Sequence, residues 1–194
     1  MENYLVSTDI IDFDHPNVGA KARKLADGFK NDIDIAKRCY EFVRDEIRHT
    51  GDMREKITTC RASEVLEHGT GWCYAKSHLL AALLRANAIP TALCYQCLSI
   101  NDDGMPPFRL HGLNAVHLEN FGWYRIDARG NKAGVDAQFD PPYEKLAFVL
   151  NGNEFDLHEY FADPPEAVLY ALKSRKIVAK WPMTQNQEKE PAWR

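Results

Sequence analysis

Apolar positions recur at helical spacing through DIDIAKRCYEFVRDEIRH (32–49), where Ile35, Cys39, Phe42, Val43 and Ile47 alternate with a side bearing Lys37, Arg38, Glu41, Arg44 and Asp45. This pattern predicts an amphipathic helix. A shorter helix is predicted in HPNVGAKARKLADGF (15–29), with Pro16 near its first turn and Gly28 near its end. Residues 51–71 predict a loop, a short helix around Ala62–Glu67 and a glycine-rich break. The next segment differs. In CYAKSHLLAALLRAN (73–87) only Lys76, Ser77, His78, Arg85 and Asn87 are clearly polar, so the helix should be largely buried. Pro90 ends it by disfavouring a helical Ile89. Beyond Pro90 the pattern turns strand-like at 91–100, 109–119 and 122–128, joined by NDDGMPP and an ENFG turn region. A helical pattern returns at 164–176, and the polar end, about 183–194, is expected to be loose. This order predicts an α+β fold with one central buried helix packed against an antiparallel sheet, as a single domain over 1–194.

Charge and cysteine usage narrow the setting. The 24 Lys and Arg against 28 Asp and Glu leave a formal charge of −4, which gives no electrostatic case for nucleic acid or an anionic membrane. No apolar run approaches the roughly 18 residues that span a bilayer. The acidic start, MENYLVSTDIIDFDHP, lacks the basic region of a signal peptide. Five scattered cysteines then read as reduced thiols, and a cytoplasmic location is expected. Cys94 and Cys97 would point to opposite faces of a strand, and no second cysteine pair exists to complete a zinc site. No run alternates carboxylates as a calcium loop does. No metal or cofactor is expected, and no oligomeric state follows from the sequence.

Candidate chemistry centres on GTGWCYAKSHLL, in which Cys73 follows two glycines and starts the buried helix. Unpaired N–H groups and the helix dipole favour an anion there, so a thiolate would be stabilised and could act as a nucleophile. The same N–H groups could hold a developing oxyanion. A packed, inert thiol fits the local sequence equally well. A nucleophilic thiol needs a histidine and a group to orient it. His78 fails, because five residues along a helix turn it about 140° away from Cys73. His68 lies in a flexible loop, and His15, His49 and His158 read most simply as surface or loop residues. His111 and His117 remain, six apart on one strand face, with Asp127 on the returning strand. A three-residue turn at 120–122 would set Asp127 opposite Ala115 and diagonal to His117. A five-residue loop at 117–121 would set it opposite His111. Trp72, beside the thiol, either shapes a cleft or packs on the helix start. Asn131, Asp136 and Gln138 lie in a turn-rich run that could border the site.

These motifs together resemble the transglutaminase-like superfamily of papain-like thiol enzymes. Its Gly-x-Cys helix running into a GiPar-like end is matched by GWCYAKSHLLAALLRANAIPT, and its His-strand and GW…Asp motifs by HGLNAVH and GWYRIDARGN. Counting back twelve residues from Trp123 gives His111, as the family spacing requires. The resemblance covers about residues 32–130. It implies Cys73 as nucleophile, His111 as general base and acid, and Asp127 as the orienting carboxylate. Two departures stand out: GLNAV replaces the bulkier AWVEV of the family, and His117 stands where a tyrosine is frequent. Trp72, His117 and His49 are the further candidates for substrate contact, with His49 also the upstream candidate for a second oxyanion donor. The implied activity is acyl transfer at an amide of a peptide, protein or small molecule, with hydrolysis expected. An amine-accepting transglutaminase and a non-catalytic peptide-binding domain are the alternatives.

Overall fold

A computed structural model describes residues 1–174, so the polar end falls outside the described residues. Helix α1 (Pro16–Ala26) has proline in its first turn, and the His15 imidazole accepts the Asn17 N–H. Helix α2 (Asp32–Glu41) is capped by Asn31, whose side-chain oxygen accepts the Asp34 N–H at 2.8 Å. The periodicity predicts that this helix runs to residue 49, but it stops at Glu41. A π-helical turn, Phe42–Glu46, follows and leads into the short strand β1 (Arg48–His49). The cause lies far along the chain. The buried Lys76 ammonium donates to the carbonyls of Arg44 and Ile47, so it satisfies groups that a continuing helix would use internally.

Helix α3 (Ala62–His68) ends at Gly69, and strand β2 (Thr70–Gly71) pairs in parallel with β1, setting His49 beside Gly71. Helix α4 (Cys73–Ala86) follows after a single residue, and every position from Tyr74 to Arg85 is buried. The predicted buried helix is therefore central, as its composition requires. Its polar side chains bond to backbone carbonyls, although His78 Nε2 has no partner among the described residues. His78 Nδ1 meets the Cys60 carbonyl at 2.8 Å, and Arg85 donates to Thr91, Val6 and Ala162.

Strands β3 (Thr91–Ser99), β4 (Phe108–Leu118) and β5 (Gly122–Ile126) form the predicted antiparallel meander. After β6 (Gln138–Asp140) and β7 (Tyr143–Lys145), which pair with each other, β8 (Phe155–Asp156) joins the free edge of β3. The sheet order is β5-β4-β3-β8. One sheet face, with Leu93, Tyr95, Leu110 and Val116, joins the helices in the main core, which helix α5 (Glu166–Ser174) completes through Val168 and Leu172. The other face carries Ala92, Cys94, Leu113 and Ala115 under Tyr4, Trp123 and Tyr160. Cys94 and Cys97 lie on opposite faces as predicted, and all five cysteines are free thiols. No helix among the described residues is long and apolar enough to cross a membrane.

The β4–β5 register matches neither predicted alternative. Leu118 pairs with Gly122 across a connection of Glu119, Asn120 and Phe121, in which the Phe121 N–H closes a turn onto the Leu118 carbonyl. Gly122 takes φ +68°, a conformation that suits glycine at the end of such a turn. The last pair is Asn114 with Ile126, so Asp127 leaves the ladder one step beyond it and lies diagonal to His111.

Candidate active site

Cys73 is the first residue of α4, and Trp72 before it has no acceptor with which to cap the turn. Around the thiol the fold assembles three imidazole and backbone contacts. The His111 and His49 imidazoles stand beside the thiol at the cavity, each favouring its thiolate, and the Gly112 N–H donates to Sγ at 3.5 Å. Strand β4 comes this close because position 112 has no side chain. A Cβ there would sit 2.8 Å from Tyr74 Cδ1 and 3.1 Å from Tyr74 Cα. The Tyr74 ring is itself pinned, since its hydroxyl donates to the Leu110 carbonyl at 2.6 Å. The family departure at this position is thus filled by the residue after the thiol.

His111 Nε2 meets Asp127 Oδ2 at 2.7 Å, which leaves Nδ1 for the thiol. Asp127 is wholly buried, and its oxygens also accept the Arg129 N–H and the Ala147 N–H, each at 3.1 Å. Electrostatics follow from this geometry. Burial pushes the Cys73 thiol up, but the charge and hydrogen bond of His111, with support from His49, outweigh it and hold the thiol well below its ordinary range. Burial pushes the His111 imidazole down, and Asp127 and the thiolate together hold it above its ordinary value. Burial raises Asp127, but His111 and the two backbone N–H groups bring it below the usual carboxylate range. All three shifts favour the charged forms of these groups.

A cavity of about 370 Å³ opens onto Cys73 and His111. His49 and Trp72 form one side, their rings edge-on at 5.5 Å. Phe148 stands edge-on to His111 at 4.9 Å, and Ala171 and Leu172 of α5 complete an apolar wall. Arg129 lines the floor with its guanidinium over Phe148, and it is neutralised by Asp52 through two bonds of 2.6 and 2.9 Å. Lys132 reaches the same carboxylate at 2.8 Å.

The sequence candidates separate cleanly. Cys73, His111 and Asp127 come together, and His49 and Trp72 join them at the cavity. His49 is not the surface residue the local sequence suggests, because the β1–β2 pairing carries it to the thiol. His117 does not reach the cavity. It lies six residues along the same strand from His111, about 20 Å away, edge-on to Trp123 at 5.5 Å. His78 points to the Cys60 carbonyl, as the helix geometry requires. Asn131, Asp136 and Gln138 fasten their own loop: Asn131 bonds both backbone groups of Ala137, and Asp136 holds Gln138 and Lys145. Sequence reasoning missed Phe148, Arg129 with Asp52, Arg109, Lys76 and the α5 wall. Only Lys76 carried a local signal, as a charge on an otherwise apolar helix.

The transglutaminase-like superfamily sequence model matches residues 19–128, more than half of the chain. The chain belongs to this superfamily. Among solved structures, this transglutaminase-like chain is similar to a candidate cysteine protease from Cytophaga hutchinsonii, at 17% identity and a TM-score of 0.53. That alignment covers 65% of this chain and 40% of the Cytophaga protein. A candidate protease from Parabacteroides distasonis aligns at 10% identity and a TM-score of 0.44, over 63% of this chain and 25% of that one. A structure described as a TGase aligns at 17% identity and a TM-score of 0.44, over 69% and 35%. The chain therefore spans less than half the length of these proteins. No curated protein matches it.

Proposed function

We propose that this transglutaminase-like chain is a thiol enzyme that transfers acyl groups from amides, with Cys73 as nucleophile, His111 as acid and base, and Asp127 as the orienting carboxylate. The observation that carries the reading is the meeting at one cavity of Cys73, whose Sγ accepts the Gly112 N–H, with His111, whose Nε2 is bonded to a buried, fully satisfied Asp127. In this reaction the thiolate attacks the amide carbonyl carbon and the carbonyl oxygen becomes an oxyanion. The uncapped first turn of α4 offers the Cys73 N–H to that oxygen. His49 supplies the second donor. Its Nδ1 is turned toward Asp52, and its ring stands against Trp72 at the cavity. Collapse of the intermediate breaks the C–N bond, and His111 gives its proton to the departing amine. His111 then takes a proton from the incoming acceptor as it attacks the thioester, which restores the thiolate and imidazolium. Water is the acceptor in this proposal, in line with the description of the Cytophaga protein.

Alkylation by iodoacetamide over a pH series tests the reading. Cys73 is expected to react well below pH 8, with the rate falling in His111→Ala. The half-buried Cys60, whose thiol burial pushes up to about 11, is the internal reference. Equal rates at Cys73 and Cys60 sink the proposal. With a peptide amide and added methylamine, a free-acid product identifies water as acceptor and an exchanged amide identifies amine transfer.

A further inference from the structure

Two arginines line the cavity beside Cys73, and their states differ. Arg129 is buried and its charge is spent on Asp52. Arg109 sits on β4 two residues before His111, on the same strand face and about 7 Å along it. Its only ion pair among the described residues is a 3.7 Å approach to Asp102, whose side chain is 85% exposed and screened by water. No hydrogen bond holds its guanidinium among the described residues. The neighbouring lining is apolar, with Leu98, Leu110 and Leu172, and among the described residues no Asp or Glu lines the cavity. A cation at the mouth of a low-dielectric cleft, with its fork of donors unused, is suited to bidentate capture of a carboxylate.

We infer that Arg109 selects substrates carrying a carboxylate within one or two residues of the scissile amide, with an apolar group packed against Leu98, Leu110 and Leu172. The inference rests on the proposed reaction at Cys73. The carboxylate is either an acidic side chain on the acyl side or a free C-terminus on the amine side, and two arms distinguish these. On the acyl side, peptidyl chloromethyl ketones with Glu or Gln next to the reactive group alkylate Cys73, and the Glu:Gln rate ratio is read by mass spectrometry. On the amine side, peptides with a free C-terminal carboxylate or a carboxamide are compared by kcat/KM.

In at least one arm the acidic form is expected to be favoured about 10- to 100-fold. That ratio falls close to one in Arg109→Gln, inverts in Arg109→Glu, and is reduced but stays above one in Arg109→Lys, which keeps the charge without the bidentate fork. Ratios near one in both arms of the unaltered protein overturn the inference, as does a preference that persists in Arg109→Gln. If the Gln probe itself labels Cys73 no faster than Cys60, the underlying reaction fails instead, so the two failures are told apart.

Discussion

Replacing Gly112 by alanine tests how the fold sets the distance between thiol and imidazole. The added methyl would lie 2.8 Å from Tyr74 Cδ1, 3.1 Å from Tyr74 Cα and 3.3 Å from Tyr74 N. Carbon atoms in contact prefer about 3.5 Å, so β4 and the start of α4 must part by roughly half an ångström or more. The Tyr74 ring cannot swing aside cheaply, because its hydroxyl is bonded to the Leu110 carbonyl of the same strand. Overpacking of this kind costs about 1–3 kcal/mol, read as a lower urea midpoint at unchanged slope. The Gly112 N–H contact to Sγ, already 3.5 Å, opens to about 4 Å and ceases to stabilise the thiolate. His111, the preceding residue, moves with the strand. The pH profile of Cys73 alkylation should therefore shift upward, and turnover should fall about tenfold or more. Gly112→Ala with unchanged stability and an unchanged alkylation profile would refute the argument that this close approach sets the site.

Two further substitutions probe charge. Asp127→Asn keeps the shape but turns one acceptor into a donor facing the Arg129 or Ala147 N–H, which should cost about 1–3 kcal/mol. In the unaltered protein Asp127, held below its ordinary value, contributes stability that is lost as pH falls below about 4. His111, held above its ordinary value, contributes stability that is lost only as pH rises well past 6.5. Asp127→Asn should remove the acid limb in urea titrations, shrink the alkaline limb to the part that the thiolate supports, and move thiol alkylation to higher pH; an unchanged pair of limbs would count against the pairing. Lys76 is pushed down to about 7, chiefly by burial and then by Arg129. Between pH 7 and about 10 the unfolded chain thus binds more protons at this site. Stability relative to Lys76→Met should rise by up to about 1.4 kcal/mol per pH unit, and parallel stability–pH lines would reject the assignment.

The elements that the chain encodes locally were legible from its pattern of side chains. The apolar run of α4, the period-2 strands β3 to β5 and the His111-to-Trp123 spacing all depend on neighbours within one element or one hairpin. The family motifs extended that reach, pointing to Cys73, His111 and Asp127. What escaped is set by contacts between distant segments. Residues 42–49 have good helical periodicity, yet Lys76 takes two of their carbonyls and so decides where His49 goes. Asp52 and Arg129 are 77 residues apart, and neither has a pattern that names the other. Phe148 and the α5 wall come from segments with no motif. The hairpin register fell between the two alternatives because the connection is residues 119–121 and Gly122, in its left-handed conformation, already pairs with Leu118.

The polar residues of α4 give this helix a role beyond filling the core. Lys76, His78, Arg85 and the capping Asn87 reach carbonyls in the Arg44–Ile47 turn, the Cys60 loop, the start of β3, Val6 of the N-terminal segment, Ala162 and Ala22 of α1. The helix is a surveyor's datum from which several otherwise unconnected stretches are measured. A thiol fixed to such a datum has little latitude of its own. Accommodation of acyl groups of different girth then falls to the wall of Phe148, Ala171 and Leu172, to which none of these polar bonds extends.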